Sequence, residues 1–376
     1  MLYISGISIS LFISALLINK KQKSRADILL MVWMMAMAIH LFIYYINFSS
    51  TPYQIPHLLG LEIPYPLMHG PLLYLYVASI TNQLPKHNWI HILHFVPVSI
   101  GYLYLISFFS SPASQKIAFY QNGYKDYEGF MQFGLLLIFL SGLVYLVWSI
   151  ILLIRHKKNI QHEFSDLESV NLNWLQFLIL GFAIIWSIVI FINKDEYIFT
   201  GVTVFVILTG YLGVQQRTIF DNRDLSVKPS VESRDYTVDG KKKYENSGLS
   251  EQLADKIHER LLHLFEKEYY YKRNKFSIQE LASELDIHPN YLSQIINEKE
   301  GKSFYDFVNA FRLEAFKEMV ENQEHKQLTL LALAYECGFN SKSSFNRYFK
   351  KQTGQTPSEF VKSLKNQSWT SIILQK

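Results

Sequence analysis

The chain has 376 residues, a formal net charge of +4 and one cysteine, Cys337. A lone cysteine excludes an intramolecular disulfide and fits a reduced compartment, and a charge this small says little about partners. The averages hide a division: the first 216 residues hold 11 Lys/Arg and 9 Asp/Glu, the remaining 160 hold 25 and 23. Charge density therefore roughly triples along the chain, which implies lipid as solvent for the first part and water for the second.

Seven apolar runs of membrane length lie at about 2–18, 28–48, 66–84, 90–109, 130–154, 174–193 and 197–214, each near the ~20 residues that cross a bilayer core. The first lacks the basic leader and cleavage site of a signal peptide; "KKQKSR" follows it instead. The third contains Pro66, His69, Gly70 and Pro71, which predicts a kinked or re-entrant start covered by neighbouring helices. The loops after runs 1, 3 and 5 hold Lys20, Lys21, Lys23, Arg25, Lys86, Arg155, Lys157 and Lys158, while those after runs 2, 4 and 6 hold Lys116, Lys125 and Lys194. The more basic set belongs in the cytoplasm. The N-terminus is then outside, and everything after Arg217 is cytoplasmic.

No Asp, Glu, Lys or Arg falls within a run as drawn, which weighs against ion paths and proton relays. The histidines His40, His69, His91 and His94 remain. His87, His91 and His94, at i, i+4 and i+7, share a helical face that permits a metal site. No Asp, Glu or Cys accompanies them, and headgroup or loop bonding is the simpler expectation, so no metal or other cofactor is implied. The outer loops, "STPYQIPHLLGLEIPYP" with Glu62 and residues 110–128 with Tyr120, Tyr124 and Tyr127, suit either the mouth of a ligand pocket or an interfacial aromatic belt; the sequence names no ligand.

Residues 217–249 are polar and mixed in charge and read as a cytoplasmic linker, reaching roughly 30 Å. "KKKY" at Lys241–Tyr244 is either a contact for anionic headgroups or plainly solvated.

Beyond 249 the helical signals are continuous. Leu253, Ile257, Leu261, Leu264 and Phe265 form a stripe. "SIQELASELDIHPNYLSQIIN" then recurs as "TLLALAYECGFNSKSSFNRYFK": Ser277 matches Thr329, Ala282 matches Ala334, Leu292 matches Phe345, and Ile296 matches Phe349. Each copy reads as helix, tight turn, helix. Gly338 and its counterpart Asp286 stand where the chain must turn left-handed. With Phe345 and Phe349 in the core, Lys342, Ser343, Asn346, Arg347 and Lys350 occupy the open face, as Asn290, Ser293, Gln294 and Asn297 do in the first copy. Arg reads guanine and Asn or Gln reads adenine, while Lys350 and Lys351 suit phosphates. From Asn340 to Lys365 six basic residues face one acid. The amphipathic connector "SFYDFVNAFRLEAFKEMVEN", about 30 Å long as a helix, compares with the ~34 Å of one DNA turn.

These residues resemble the DNA-binding domain of the AraC/XylS family of bacterial transcription regulators. The specific part is Ala334–Phe360, with its G-F, F-x-R-x-F-K-K, G and T-P elements in order. The resemblance implies a seven-helix domain with two helix-turn-helix units joined by a linker helix, and base-reading positions at Asn290, Ser293, Gln294, Lys342, Ser343 and Arg347. Two departures stand out: the first unit is acidic, and Gln294 occupies a place where many relatives carry a base. The whole layout, with "HGPLLYLYV" at His69–Val77, is similar to membrane-bound AraC-type regulators.

The expected protein is all-α: a transmembrane domain over 1–216, a linker over 217–249, a double helix-turn-helix domain over 250–366 and a tail over 367–376. It has no catalytic residues and is not an enzyme. Its partners are double-stranded DNA, the lipid bilayer, an unknown extracytoplasmic or membrane ligand, a second copy of the chain and, for an activator, RNA polymerase. The alternative is a transporter or membrane enzyme with an appended DNA-binding domain.

Overall fold

The computed structural model describes residues 1–48, 53, 55–85, 87–123, 125–167, 172–215, 251–322 and 328–364. The linker, "KKKY", Tyr124, Lys86 and the tail lie outside the described residues. The chain divides into two compact units, one of residues 1–156 and 172–228, the other of residues 157–171 and 229–376. All regular structure among the described residues is helical.

In the first unit, α1 (Leu2–Asn19) packs on α2 (Arg25–Phe48) and on α10 (Asp195–Gln215), α10 on α9 (Asn173–Phe191), and α2 on α3 (His69–Ile80). Trp33 stands at the centre, its ring 6.1 Å from Phe182 and 5.9 Å from Phe205. A Cβ on Gly142 of α8 (Glu128–Glu163) would collide with the Trp186 ring, the close approach that small residues allow between membrane helices. The outward faces are apolar: Phe12, Val32, Phe42, Leu136, Val147, Ile154, Phe177 and Ile184 are all exposed. In water such a surface would be an aggregation hazard; in hydrocarbon it is the solvated face.

Five helices, α1, α2, α8, α9 and α10, are long and apolar enough to cross a membrane. The third and fourth expected runs differ. Of the third, α3 spans 12 residues, preceded by a single 3-10 turn at Tyr65–Met68, and Gly70–Ala78 are all buried. Pro64 and Pro66 supply no amide donor for a longer helix, and irregular backbone of this kind is tolerated among apolar helices where other protein covers it. The fourth is divided into α4 (Asn88–Leu93), α5 (Val96–Tyr104) and α6 (Ile106–Phe109), with Pro97 at the start of α5.

His87, His91 and His94 stand at the start, within and at the end of α4. His91 Nε2 lies 3.3 Å from the Pro85 carbonyl, and His94 Nδ1 lies 2.9 Å from the Tyr145 hydroxyl. His40 and His69 do meet, with Nδ1 and Nε2 3.0 Å apart and rings stacked. Outer aromatic residues pack on one another. Tyr120, α7 (Ala113–Gln121), Phe108 and Leu59 share a small core, and the Tyr120 hydroxyl donates to Glu62. Burial raises the Glu62 pKa, against the opposing hydrogen bonds from Tyr120 and the Gly60 amide.

The second unit holds α11 (Glu251–Glu266), α12 (Ile278–Glu284), α13 (Pro289–Glu300), α14 (Phe304–Glu321), α15 (Leu330–Glu336) and α16 (Lys342–Thr353), followed by a helix at 357–364. That is the expected seven-helix domain. The internal repeat is visible in its caps: Ser277 closes a capping box with Glu280, and the Thr329 hydroxyl accepts from the Ala332 amide. Ala282 and Ala334 are fully buried at the helix crossings. The stripe on α11 differs in one place: Leu253 is exposed and Ala254 is buried in its stead, beside Ile257, Leu261 and Phe265. The connector α14 serves two cores. Phe304, Phe307 and Val308 belong to the first, with Leu281, Leu292 and Ile296; Leu313, Phe316 and Val320 belong to the second, with Leu333, Phe345 and Phe349.

Both expected left-handed turns occur, Asp286 at φ +57° and Gly338 at φ +94°. A Cβ on Gly338 would also stand 2.5 Å from the Tyr271 carbonyl oxygen and 3.0 Å from Arg312 Nε. Gly338→Ala therefore combines backbone strain with a collision against backbone, and is expected to destabilise the second unit by roughly 2–4 kcal/mol. Asp286→Gly should be neutral or stabilise by up to ~1 kcal/mol. Hydrogen exchange of α14 and α16 amides in the full-length protein checks both.

Candidate nucleic-acid interface

The second reading helix, α16, is sharply two-faced. Ser344, Phe345, Tyr348 and Phe349 are buried. Lys342, Ser343, Asn346, Arg347 and Lys350 are all exposed, so the structure brings the five expected residues onto one open face. The helix starts at Ser341, whose hydroxyl accepts from the Ser344 amide at 3.0 Å, and ends at Gly354 with φ +76°. It is tied to the connector by the Tyr348 hydroxyl, which donates to the Asp306 carbonyl at 3.0 Å, and by Phe316 packing on Phe345 and Phe349. Lys351 stands apart from that face: its Nζ lies 3.2 Å from Asp306 Oδ1. An exposed pair of this kind is weak, so it leaves the ammonium exchangeable for a phosphate.

The first reading helix, α13, is less open. Leu292, Ile295 and Ile296 are buried, Asn290, Ser293 and Gln294 are half-buried, and Asn297 is exposed. His288 Nδ1 accepts from the Asn290 amide at 3.2 Å, while the Asn290 side-chain oxygen is buried without a hydrogen bond. Gln294 donates to Glu298 at 3.0 Å. Lys299 pairs with Asp255 at 2.5 Å and His258 with Glu300 at 2.8 Å, so α11 takes up charges of α13. The acidic character expected of this unit is thus built into its packing as well as its composition.

Sequence reasoning did not single out Arg312, which is 1 % exposed. Its Nε donates to the Tyr271 carbonyl at 2.8 Å, Nη2 to the Arg273 carbonyl at 3.1 Å, and Nη1 to the Ser165 carbonyl at 3.3 Å and Asn309 Oδ1 at 3.4 Å. Burial lowers its pKa to about 10, with nearby Asp166 acting in the opposite direction, so it stays charged at neutral pH. The available signal was a charge inside the apolar run of α14, where the connector's register faces inward. Removing it would leave several buried carbonyls unsatisfied. Arg312→Met is expected to cost roughly 3–5 kcal/mol. Arg312→Lys should not rescue it, because an ammonium cannot reproduce the planar fork. Loss of exchange protection in α14 and at Tyr271–Arg273 is the readout.

Known proteins share this unit. The helix-turn-helix domain family matches residues 281–363. The chain is similar to the uncharacterized HTH-type transcriptional regulator YobQ of Bacillus subtilis (strain 168), 34 % identical over 95 residues that cover 25 % of this chain and 35 % of that one. It is also similar to the uncharacterized HTH-type transcriptional regulator YijO of Escherichia coli (strain K12), 32 % identical over 82 residues, 22 % of this chain and 28 % of that one. The uncharacterized transcriptional regulatory protein YesN of Bacillus subtilis (strain 168) is 36 % identical over 78 residues, 20 % of each chain. The chain thus spans about a third or less of the length of these relatives. No solved structure matches it. The C-terminal part is an AraC-type helix-turn-helix domain of DNA-binding transcription regulators, and it shares a chain with helices apolar enough to span a membrane.

Proposed function

We propose that the protein is a regulator anchored in the bacterial cytoplasmic membrane, whose membrane domain senses a signal and whose cytoplasmic domain binds specific DNA sites. One observation carries this reading: a chain with five apolar, outwardly apolar helices also presents Lys342, Ser343, Asn346, Arg347 and Lys350 on one exposed helix face of a double helix-turn-helix domain. The broken third and fourth runs leave the topology argument standing, because omitting both keeps an odd number of crossings. The N-terminus outside and the DNA-binding domain in the cytoplasm then follow from the basic loops.

Arg347, Ser343 and Lys342 read bases in this account, with Asn346 beside them, and Lys350 and Lys351 hold phosphates. Asn290, Ser293, Gln294 and Asn297 read a second groove more weakly, since Gln294 is engaged by Glu298. Sensing rather than anchoring alone is supported by a polar pair set among the apolar helices, His40 with His69. A passive anchor has no use for such groups, which are costly in lipid.

In-cell crosslinking and genome-wide mapping of the full-length protein tests the reading. Wild type should occupy a few sharp sites that an Arg347→Ala, Lys350→Ala double variant loses. On one such site in vitro, Arg347→Ala should relax sequence preference by roughly 1–3 kcal/mol. Lys350→Ala should instead weaken binding to all sequences and lower the salt-dependence slope by about one. Sequence preference untouched by Arg347→Ala would disprove the assigned reading face. Replacing the membrane domain with an unrelated anchor should abolish the response to the signal; unchanged regulation would mean that the domain only anchors.

A further inference from the structure

The second unit includes, besides its helices, the short stretch that follows α8 directly in the chain. Phe164 forms an antiparallel bridge with Ser277. The Ser165 amide donates to the Phe276 carbonyl at 3.2 Å, and its hydroxyl donates to the same carbonyl at 2.6 Å and accepts from the Phe276 amide at 3.2 Å. The Ser165 carbonyl accepts from Arg312 Nη1 at 3.3 Å and from Asn309 Nδ2 at 3.5 Å. Ser165 and Asp166 are buried, and Leu167 packs on the core built by Leu313, Phe316, Phe345 and Phe349. Four residues thus touch the entry to α12 in the first half, the connector α14 and the core of the second half. A loop between two apolar helices ordinarily runs over the surface, where water satisfies its backbone. Here the domain's own groups satisfy it.

We propose that Phe276, Asn309, Arg312 and the apolar edge of the second core form a docking surface for residues 164–167, and that the docked segment braces the two reading halves. This rests on the regulator reading. Phe276, Ser277, Asn309, Arg312 and the core residues met by Leu167 are not expected base-reading residues, so docking on them leaves the reading faces open and acts as a cross-tie. Binding by two joined heads is strongest when their separation is already fixed, because less ordering remains to be done on DNA. The segment continues α8 without a break, so displacement of that helix pulls on the brace and weakens DNA binding without any movement at the reading faces themselves.

The test uses full-length protein in lipid nanodiscs and a DNA site found by the mapping above. Phe164→Cys with Ser277→Cys, in a Cys337→Ala background, places thiols on directly opposed bridge residues, whose Cα atoms lie about 4.5–5.5 Å apart in antiparallel pairs, within disulfide reach. The disulfide should form under mild oxidation, and the oxidised form should bind DNA at least as tightly as its own reduced form. Ser165→Pro with Leu167→Asp should release the segment, weaken DNA binding at least fivefold and raise hydrogen exchange at Phe276. A released variant that binds as tightly as wild type, an oxidised form that binds more weakly than its reduced form, or a disulfide that does not form would each overturn the brace. Wild-type protein that selects no DNA would overturn the regulator reading instead.

Discussion

A buried guanidinium organises the DNA-binding unit. Arg312 lies on the connector between the two helix-turn-helix halves, and burying its charge costs several kcal/mol unless its donors are met. Carbonyls from Tyr271, Arg273 and Ser165 meet them. Each is held by a local device. The turn that presents Tyr271 and Arg273 starts at Tyr269, in the left-handed region at φ +52°. Gly338, at the turn of the second half, packs so closely on the Tyr271 carbonyl, beside Arg312 Nε, that a side chain there would collide with backbone. The arginine therefore fixes the first half, the connector and the turn of the second half against one another. Two reading helices on a common rigid connector need such a joint, because the connector sets their spacing while a hub sets their orientation.

The two halves answer the same repeat differently. The second exposes a helix face of lysine, serine, asparagine and arginine, with its aromatic residues turned into the core. The first spends much of its polarity internally: Gln294 on Glu298, Lys299 on Asp255, His258 on Glu300. On the proposed reading, electrostatic attraction to phosphate comes chiefly from the second half, and the first adds discrimination at low cost in non-specific binding. An acidic first unit also keeps the net charge of the domain small, which limits idle occupancy of unrelated DNA.

Local chemistry made much of this legible in the sequence. Left-handed turns at Asp286 and Gly338, caps at Ser277 and Thr329, small residues at 282 and 334, and a face at 342–350 each follow from a few neighbouring residues. The misses share another cause. Whether run 4 stays continuous depends on Pro97 and on packing around it, and apolar composition is blind to that. The pairing of His40 with His69, the closure of the outer aromatic residues on Glu62, and the role of Arg312 all depend on contacts between distant segments. A single sequence carries no signal for them beyond an odd polar residue in an apolar run. The docking of residues 164–167 was the least legible, since a short polar loop between apolar helices has nothing unusual in its composition.

That loop changes how the chain's order should be understood. Residues 217–249 lie between α10 and α11, but the second unit also takes in residues 157–171, the end of α8 and the stretch that leads on to α9. The DNA-binding unit is thus built from two separate stretches of chain, one of them inserted between apolar helices. If the docked segment braces the two halves as proposed, a stretch that continues α8 directly and ends in hydrogen bonds to Phe276, Asn309 and Arg312 gives displacement of that helix a route to the joint.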